Sequence, residues 1–293
     1  MNWTSIKAKL DLYERLMRLH KPIGILLLLW PTLWGIWVAS DGRPNPMILW
    51  IFILGTVLMR SAGCVINDYA DQDFDGKVER TKLRPMATGE VSKKEALLLA
   101  GGLALLSFLL ILPLNRLTLL MSVPALFLAG TYPYTKRFFP IPQAYLGIAF
   151  SFGIPMAFAA IQGSVPAMAW ALLVANLFWV LAYDTEYAMA DKPDDLKIGI
   201  KTSAITFGRF DAEAVMVCHA LFVLGLAAIG WSLKRGPLWY AGLLLAAILM
   251  ALQYRQIRGR DRNRCFQAFN DNNWVGGVVF AGLILDYWLH WKF

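Results

Sequence analysis

Apolar residues in this chain come in long blocks rather than in alternation, and each block is close to the roughly 20 residues a helix needs to cross a bilayer. The pattern predicts nine spans, at about 22–40, 46–66, 95–112, 117–131, 143–161, 166–184, 212–232, 238–254 and 274–291. Ahead of them, residues 5–20 place Ile6, Leu10, Tyr13 and Met17 on one side and charges on the other, which predicts a helix lying at the interface. Two polar segments interrupt the blocks, at 67–94 and 185–211. Ser92 followed by Glu95 predicts a capping box at the start of the third span. Nothing resembles an interdomain linker, so residues 1–293 read as one all-α, polytopic membrane domain.

Composition agrees: 58% of the 293 residues are hydrophobic, with 12 Trp. The net charge of +8 raises the question of nucleic acid. The distribution of that charge answers it. With the N-terminus inside, all of the 28 Lys and Arg except Arg43, Arg116, Lys234, Arg235 and Lys292 fall on the cytoplasmic side, as the positive-inside rule requires. The expected setting is therefore a membrane, with both polar segments facing the cytoplasm and no nucleic-acid partner. Basic residues ahead of the first apolar run suit an uncleaved first helix better than a signal peptide, given the many spans behind it. Cys64, Cys218 and Cys265 are scattered, as are His20, His219 and His290, so neither a disulfide framework nor a zinc site is indicated.

The polar segments carry the chemistry. If the second span continues as a helix, Asn67, Asp71 and Asp75 at i, i+4 and i+8 stack along one face, each about 40° from the last. Asp184, Tyr187, Asp191 and Asp195 form a matching stripe where the sixth span ends. The two stripes are four spans apart, which hints at an internal pseudo-repeat. Carboxylates crowded at helix ends repel one another and resist desolvation, so a cation is expected to bridge them. Oxygen ligands of this kind suit Mg²⁺ linking carboxylates to a substrate phosphate. Beside the first stripe stand Lys77, Arg80, Lys82 and Arg84; beside the second, Lys192, Lys197 and Lys201. A single basic loop is ordinary on this side of a membrane, but two matched acidic stripes with basic companions are the parts that hold a diphosphate and absorb its charge as it leaves.

N-D-x-x-D-x-x-x-D at 67–75 and D-x-x-Y-x-x-x-D-x-x-x-D at 184–195 resemble the signatures of the UbiA superfamily of intramembrane prenyltransferases. Further segments are similar to the bacterial 4-hydroxybenzoate polyprenyltransferases within it: R-L-M-R-x-x-K-P-I-G at 15–24, L-L-L-L-W-P-T-L-W at 26–34, A-G-C-V-x-N-D-Y-A-D at 62–71, K-I-G-I-K at 197–201 and C-F-x-A-F-x-x-N-N at 265–273. The resemblance implies nine helices around a central cavity, with a polar cap over its cytoplasmic mouth and a lateral opening to lipid. It implies ubiquinone biosynthesis in a bacterial inner membrane, with a polyprenyl diphosphate and 4-hydroxybenzoate as substrates and Mg²⁺ as cofactor. One ion falls to Asn67, Asp71 and Asp75, the other to Asp191 and Asp195. Arg80, Arg84, Lys136 and Lys201 are expected at the diphosphate, Asp184 at the substrates, and Tyr187, or Tyr132 and Tyr134, at the allylic cation. Asp191 is also a candidate to polarise the phenol. Asp68 and Asp194 have no assigned role, and Asp73 points off the stripe toward solvent. For the acceptor carboxylate, Arg60 inside the second span shares a helical face with residues 64, 67 and 71 and is the preferred anchor; snorkelling is the plainer account of it, and Arg137 is the rival anchor.

Three other readings remain in view. Membrane CDP-alcohol phosphotransferases pack their acids into one local run, whereas Lys93 and Leu97 stand where two of those acids belong. A transporter would place its carboxylates deep on broken helices rather than at helix ends beside basic loops. Within the superfamily, a haem, homogentisate or menaquinone-type acceptor is the alternative.

Overall fold

The computed structural model describes residues 3–290, and the expected positive charge at Lys292 lies outside them, as does the last residue of the expected ninth span. The described residues form helices without a strand: α1 (Trp3–Met17), α2 (Ile23–Ala39), α3 (Pro46–Asp75), α4 (Lys93–Ile111), α5 (Arg116–Thr135), α6 (Pro142–Ser151), α7 (Gly153–Gln162), α8 (Ala167–Ile198), α9 (Ser203–Phe207), α10 (Asp211–Ser232), α11 (Pro237–Ile257) and α12 (Arg262–His290). Helix starts follow their polar caps. Asn45, Ser92, Asn115 and Thr202 each accept a hydrogen bond from a backbone N–H in the first turn that follows. The capping box is only half formed: Ser92 accepts from Glu95 N at 3.3 Å, but the Glu95 carboxylate accepts instead from the Tyr13 hydroxyl at 2.5 Å, pinning α1 to α4.

Seven helical stretches among the described residues are long and apolar enough to cross a membrane, with the pair α6 and α7 counted as one and α9 and α10 as another. The other two expected spans correspond to α2, which is apolar but only 17 residues long, and to α12, whose first half is polar. Lipid-facing surface is plainest on α4 and α5, where Leu98, Leu105, Leu106, Leu120, Val123 and Phe127 all stand exposed.

Three departures from the sequence pattern have simple causes. The fifth span is two helices, broken at Phe152. Pro155 has no N–H to give the Ser151 carbonyl, and Gly153 passes so near α2 that an added Cβ would stand 2.4 Å from Thr32 Oγ1. On α1, Leu10 of the expected apolar face is 60% exposed, while Leu16, off that face, is fully buried with Val65, Met86 and Val91. Thirdly, the polar segments are less loop-like than expected. α3 and α8 run on without interruption through both acidic stripes, giving rods of about 45 and 48 Å at 1.5 Å per residue. A hydrocarbon core is only about 30 Å thick, so both acidic ends lie beyond it.

α8 is the axis of the bundle, packed on α6, α10 and α12, with α2 against α7 and α12. Its core is aromatic: Trp34, Trp179 and Phe222 sit with ring centroids 5.3–5.8 Å apart. α11 and α12 cross at Gly242 and Gly282, where a Cβ on either would meet the other's Cα at 3.0 Å.

Candidate active site

Between α2, α3, α5, α6 and α8 lies a cavity of about 300 Å³. One end is polar and bordered by both stripes: Asn67, Asp71 and Asp75 from α3, and Asp184, Tyr187, Asp191 and Asp195 from α8. The other end is apolar and runs past Gly55, Phe52 and Ile51 to Ile111 and Met156. The expectation that two acidic helix tips meet across one pocket therefore describes the molecule.

Side-chain cations bridge them. Arg80, from the turn-rich segment after α3, reaches Asp191 with a fork of two bonds, Nε to Oδ1 at 3.1 Å and Nη2 to Oδ2 at 2.5 Å. Arg84 Nη1 donates to both Asp75 oxygens, at 3.0 and 2.9 Å, and lies 3.1 Å from Asp68. Lys136, at the C-terminal cap of α5, donates to Asp71 at 2.6 Å and to Asn67 Oδ1 at 3.3 Å. The buried Lys136 ammonium is opposed by desolvation, but Asp71 outweighs that cost and moves its pKa upward. Arg80 is likewise shifted up: burial works against its charge, and Tyr187 and Asp191 overcome it. Both are cations at neutral pH.

Asp184 and Asp195 have no ion-pair or hydrogen-bond partner for their carboxylates among the described residues, although both line the cavity. No three Asp, Glu, His or Cys side chains converge as a ready-made metal cage among those residues. The donor chemistry nevertheless fits a hard divalent ion, because Asn67, Asp71, Asp75, Asp191 and Asp195 offer only oxygen and all border one cavity.

The other expected residues separate by position. Arg60 lines the cavity; its Nε donates to the Gly24 carbonyl at 3.1 Å. Arg137 does not line it and instead donates to the Ala70 carbonyl at 2.9 Å. Lys201 is also outside, bonded to the Phe138 carbonyl at 3.0 Å, so it braces the 136–138 turn that presents Lys136. Tyr187 borders the cavity, but the Arg80 guanidinium lies 4.0 Å from its ring centroid, and Phe269 packs against it at 4.9 Å. Its π face holds Arg80 in position. Tyr132 lines the cavity and Tyr134 does not. Asp73 is exposed as expected. Asp194 serves structure, binding Arg262 at 2.9 Å.

Three residues of the site escaped the sequence reading. Asp68, off the stripe, is buried and pairs with Arg18 as well as Arg84. Arg18 lines the cavity from the turn after α1, where its φ of 57° is unusual for a residue with a side chain. Arg18 belongs to the quoted segment 15–24, but spacing alone gives no sign that a turn before the first span folds back onto the end of the second. Tyr183, beside Asp184 and bordering the cavity, is the third.

Comparison with known proteins matches residues 28–277 to the UbiA prenyltransferase family. The chain is 64% identical to a 4-hydroxybenzoate octaprenyltransferase of Dechloromonas aromatica, covering 98% of this chain and 97% of that one. It is 66% identical to a protein of the same name from Nitrosospira multiformis, covering 97% and 98%. Among solved structures, the apo structure of a UbiA homolog from Aeropyrum pernix K1 superposes with a TM-score of 0.78 at 27% identity, over 89% of this chain and 97% of that one. A UbiA homolog from Archaeoglobus fulgidus bound to GPP and Mg²⁺ shares the fold, with a TM-score of 0.67 at 19% identity over 94% and 99%.

Proposed function

The chain belongs to the UbiA prenyltransferase family, and on that footing we propose that it transfers a polyprenyl group from a polyprenyl diphosphate to 4-hydroxybenzoate. The new bond forms at the ring carbon ortho to the hydroxyl, diphosphate is released, and the product enters ubiquinone biosynthesis. The names of its close relatives support the acceptor. The observation that carries the reading is the two-ended cavity, with paired carboxylates and cations at the mouth and an apolar tunnel beneath.

The diphosphate belongs at the polar end. Arg80, Arg84 and Lys136 there pair with carboxylates, and each is able to exchange that partner for phosphate oxygens. Asn67, Asp71 and Asp75 on one side, and Asp191 and Asp195 on the other, would hold Mg²⁺. Bound there, the metal neutralises the charge that develops on the leaving group. The allylic C1–O bond breaks with its electron pair leaving on diphosphate. The ring carbon then bonds to C1, and loss of the ring proton restores aromaticity. Of the two cavity carboxylates without a partner among the described residues, Asp195 serves the metal and Asp184 is left to receive that proton. Asp191, once Arg80 turns to phosphate, is engaged as a metal ligand rather than free to polarise a phenol. Tyr132 lines the cavity with Lys136 Nζ 5.6 Å from its ring centroid, a looser contact than that of Arg80 on Tyr187, and is the ring offered to the allylic cation. The chain of the donor lies along the apolar tunnel.

The test uses vesicles containing the protein, Mg²⁺, a polyprenyl diphosphate and a panel of aromatic acids, with mass analysis of the lipids. Prenylated 4-hydroxybenzoate should form and should disappear with a chelator. A panel with no prenylated acid, or a product undiminished by chelation, overturns the proposal.

A further inference from the structure

Several buried polar side-chain atoms find no partner among the described residues, and of these the Tyr183 hydroxyl alone belongs to a residue bordering the cavity. Tyr183 is 1% exposed. Its ring is fixed edge-on against Trp179 at 5.3 Å and against Phe269 at 6.0 Å. Aromatic packing of that kind serves phenylalanine equally well and spares the fold a dry, unpaired hydroxyl. The oxygen therefore calls for a partner that arrives with a ligand.

The surroundings say which kind. Arg60, on α3 and bordering the same cavity, is anchored through Nε to the Gly24 carbonyl at 3.1 Å, while neither of its terminal nitrogens has a hydrogen-bond partner among the described residues. Arg60 and Asp184 border the same cavity as Tyr183, and Asp184 follows it directly in the chain. A carboxylate is drawn to the guanidinium and repelled by Asp184, so it settles on the Arg60 side. There one oxygen meets the cation and the other meets a neutral donor.

Resting on the function proposed above, we propose that Tyr183 is an acceptor-binding residue whose hydroxyl donates to the carboxylate of the aromatic acid, as the partner of Arg60. It is a specificity determinant, since it has no role for an acceptor lacking that carboxylate.

The experiment compares wild type with Tyr183→Phe in vesicles, using 4-hydroxybenzoate and its methyl ester as acceptors. Losing one hydrogen bond to a charged group should raise the KM for the acid about ten- to hundredfold, with less than a twofold change in the KM of the prenyl donor. Direct binding of the acid to the purified protein should weaken by the same factor. With the ester, whose uncharged carbonyl is a weaker acceptor, the gap between wild type and variant should narrow to about fivefold or less. Arg60→Lys should shift the two acceptors in the same order. An unchanged acid KM, an equal shift in both substrates, or the same gap with the ester overturns the inference. Wild-type prenylation of the acid checks the function separately, so a working wild type beside an indifferent Tyr183→Phe refutes this assignment alone.

Discussion

Arg80 reaches from one acidic helix to the other, closes a two-pronged bond on Asp191 and lies flat over the ring of Tyr187. A lysine keeps the charge but has neither the planar fork nor the stacking surface. Arg80→Lys should therefore lower kcat/KM for the prenyl diphosphate about tenfold or more, by loss of fixed charge at the leaving group. Asp73→Asn, a change of equal size on the exposed side of α3, should stay within about twofold, as surface changes usually do. Steady-state kinetics with varied donor separates the two, and an Arg80→Lys enzyme as fast as wild type would remove Arg80 from the diphosphate. The same logic explains why Asp68 and Asp71 differ in kind despite standing three residues apart. Asp71 faces the cavity, whereas Asp68 is buried against Arg18 and Arg84 and orders the cations themselves.

α3 carries two glycines on its cavity face, Gly55 and Gly63, and both leave room for a side chain: nothing lies within 4 Å of a Cβ added at Gly63, and only Ser107 Oγ, at 3.9 Å, near one at Gly55. Gly55 sits about 24 Å along the helix axis from Asp71, deep in the apolar tunnel. Gly55→Leu should fill the tunnel without distorting the helix. It should cut turnover of octaprenyl diphosphate about tenfold relative to geranyl diphosphate, which occupies only the upper part. Equal effects on both donors would mean that the chain runs elsewhere. At this scale the sequence was most readable, because helical period and hydrocarbon thickness both act locally: the stripes at 67–75 and 184–195 could be placed on faces from spacing alone. What escaped notice depends on contacts between distant segments. Arg18 enters the site through a turn that only the packing of α1 on α3 defines, and Tyr183 looks like one more core aromatic until its hydroxyl proves to be unpaired. Arg137 and Lys201 carry suitable charges, but the turn after α5 directs both to backbone carbonyls. The break at Phe152 was signalled by Pro155, one turn into what otherwise reads as a continuous apolar block.

For the molecule as a whole, both acidic tips and nearly all the positive charge gather at one end of the bundle. The positive-inside rule predicts that this end faces the cytoplasm. Lys77→Cys, in the exposed segment after α3, and Ser164→Cys, in the turn before α8, should test this, since the three native cysteines are buried. A membrane-impermeant maleimide should label position 77 only from the cytoplasmic face and position 164 only from the opposite one; the reverse pattern would invert the topology. One consequence follows from α8 being a single rod. Tyr183 and Asp195 hang from the same unbroken helix, about 18 Å apart along its axis, so the level at which an acid docks and the level at which pyrophosphate departs are set by one ruler. A descendant enzyme that took a bulkier aromatic would gain no room by lengthening a loop. It would have to trim the side chains on that ruler.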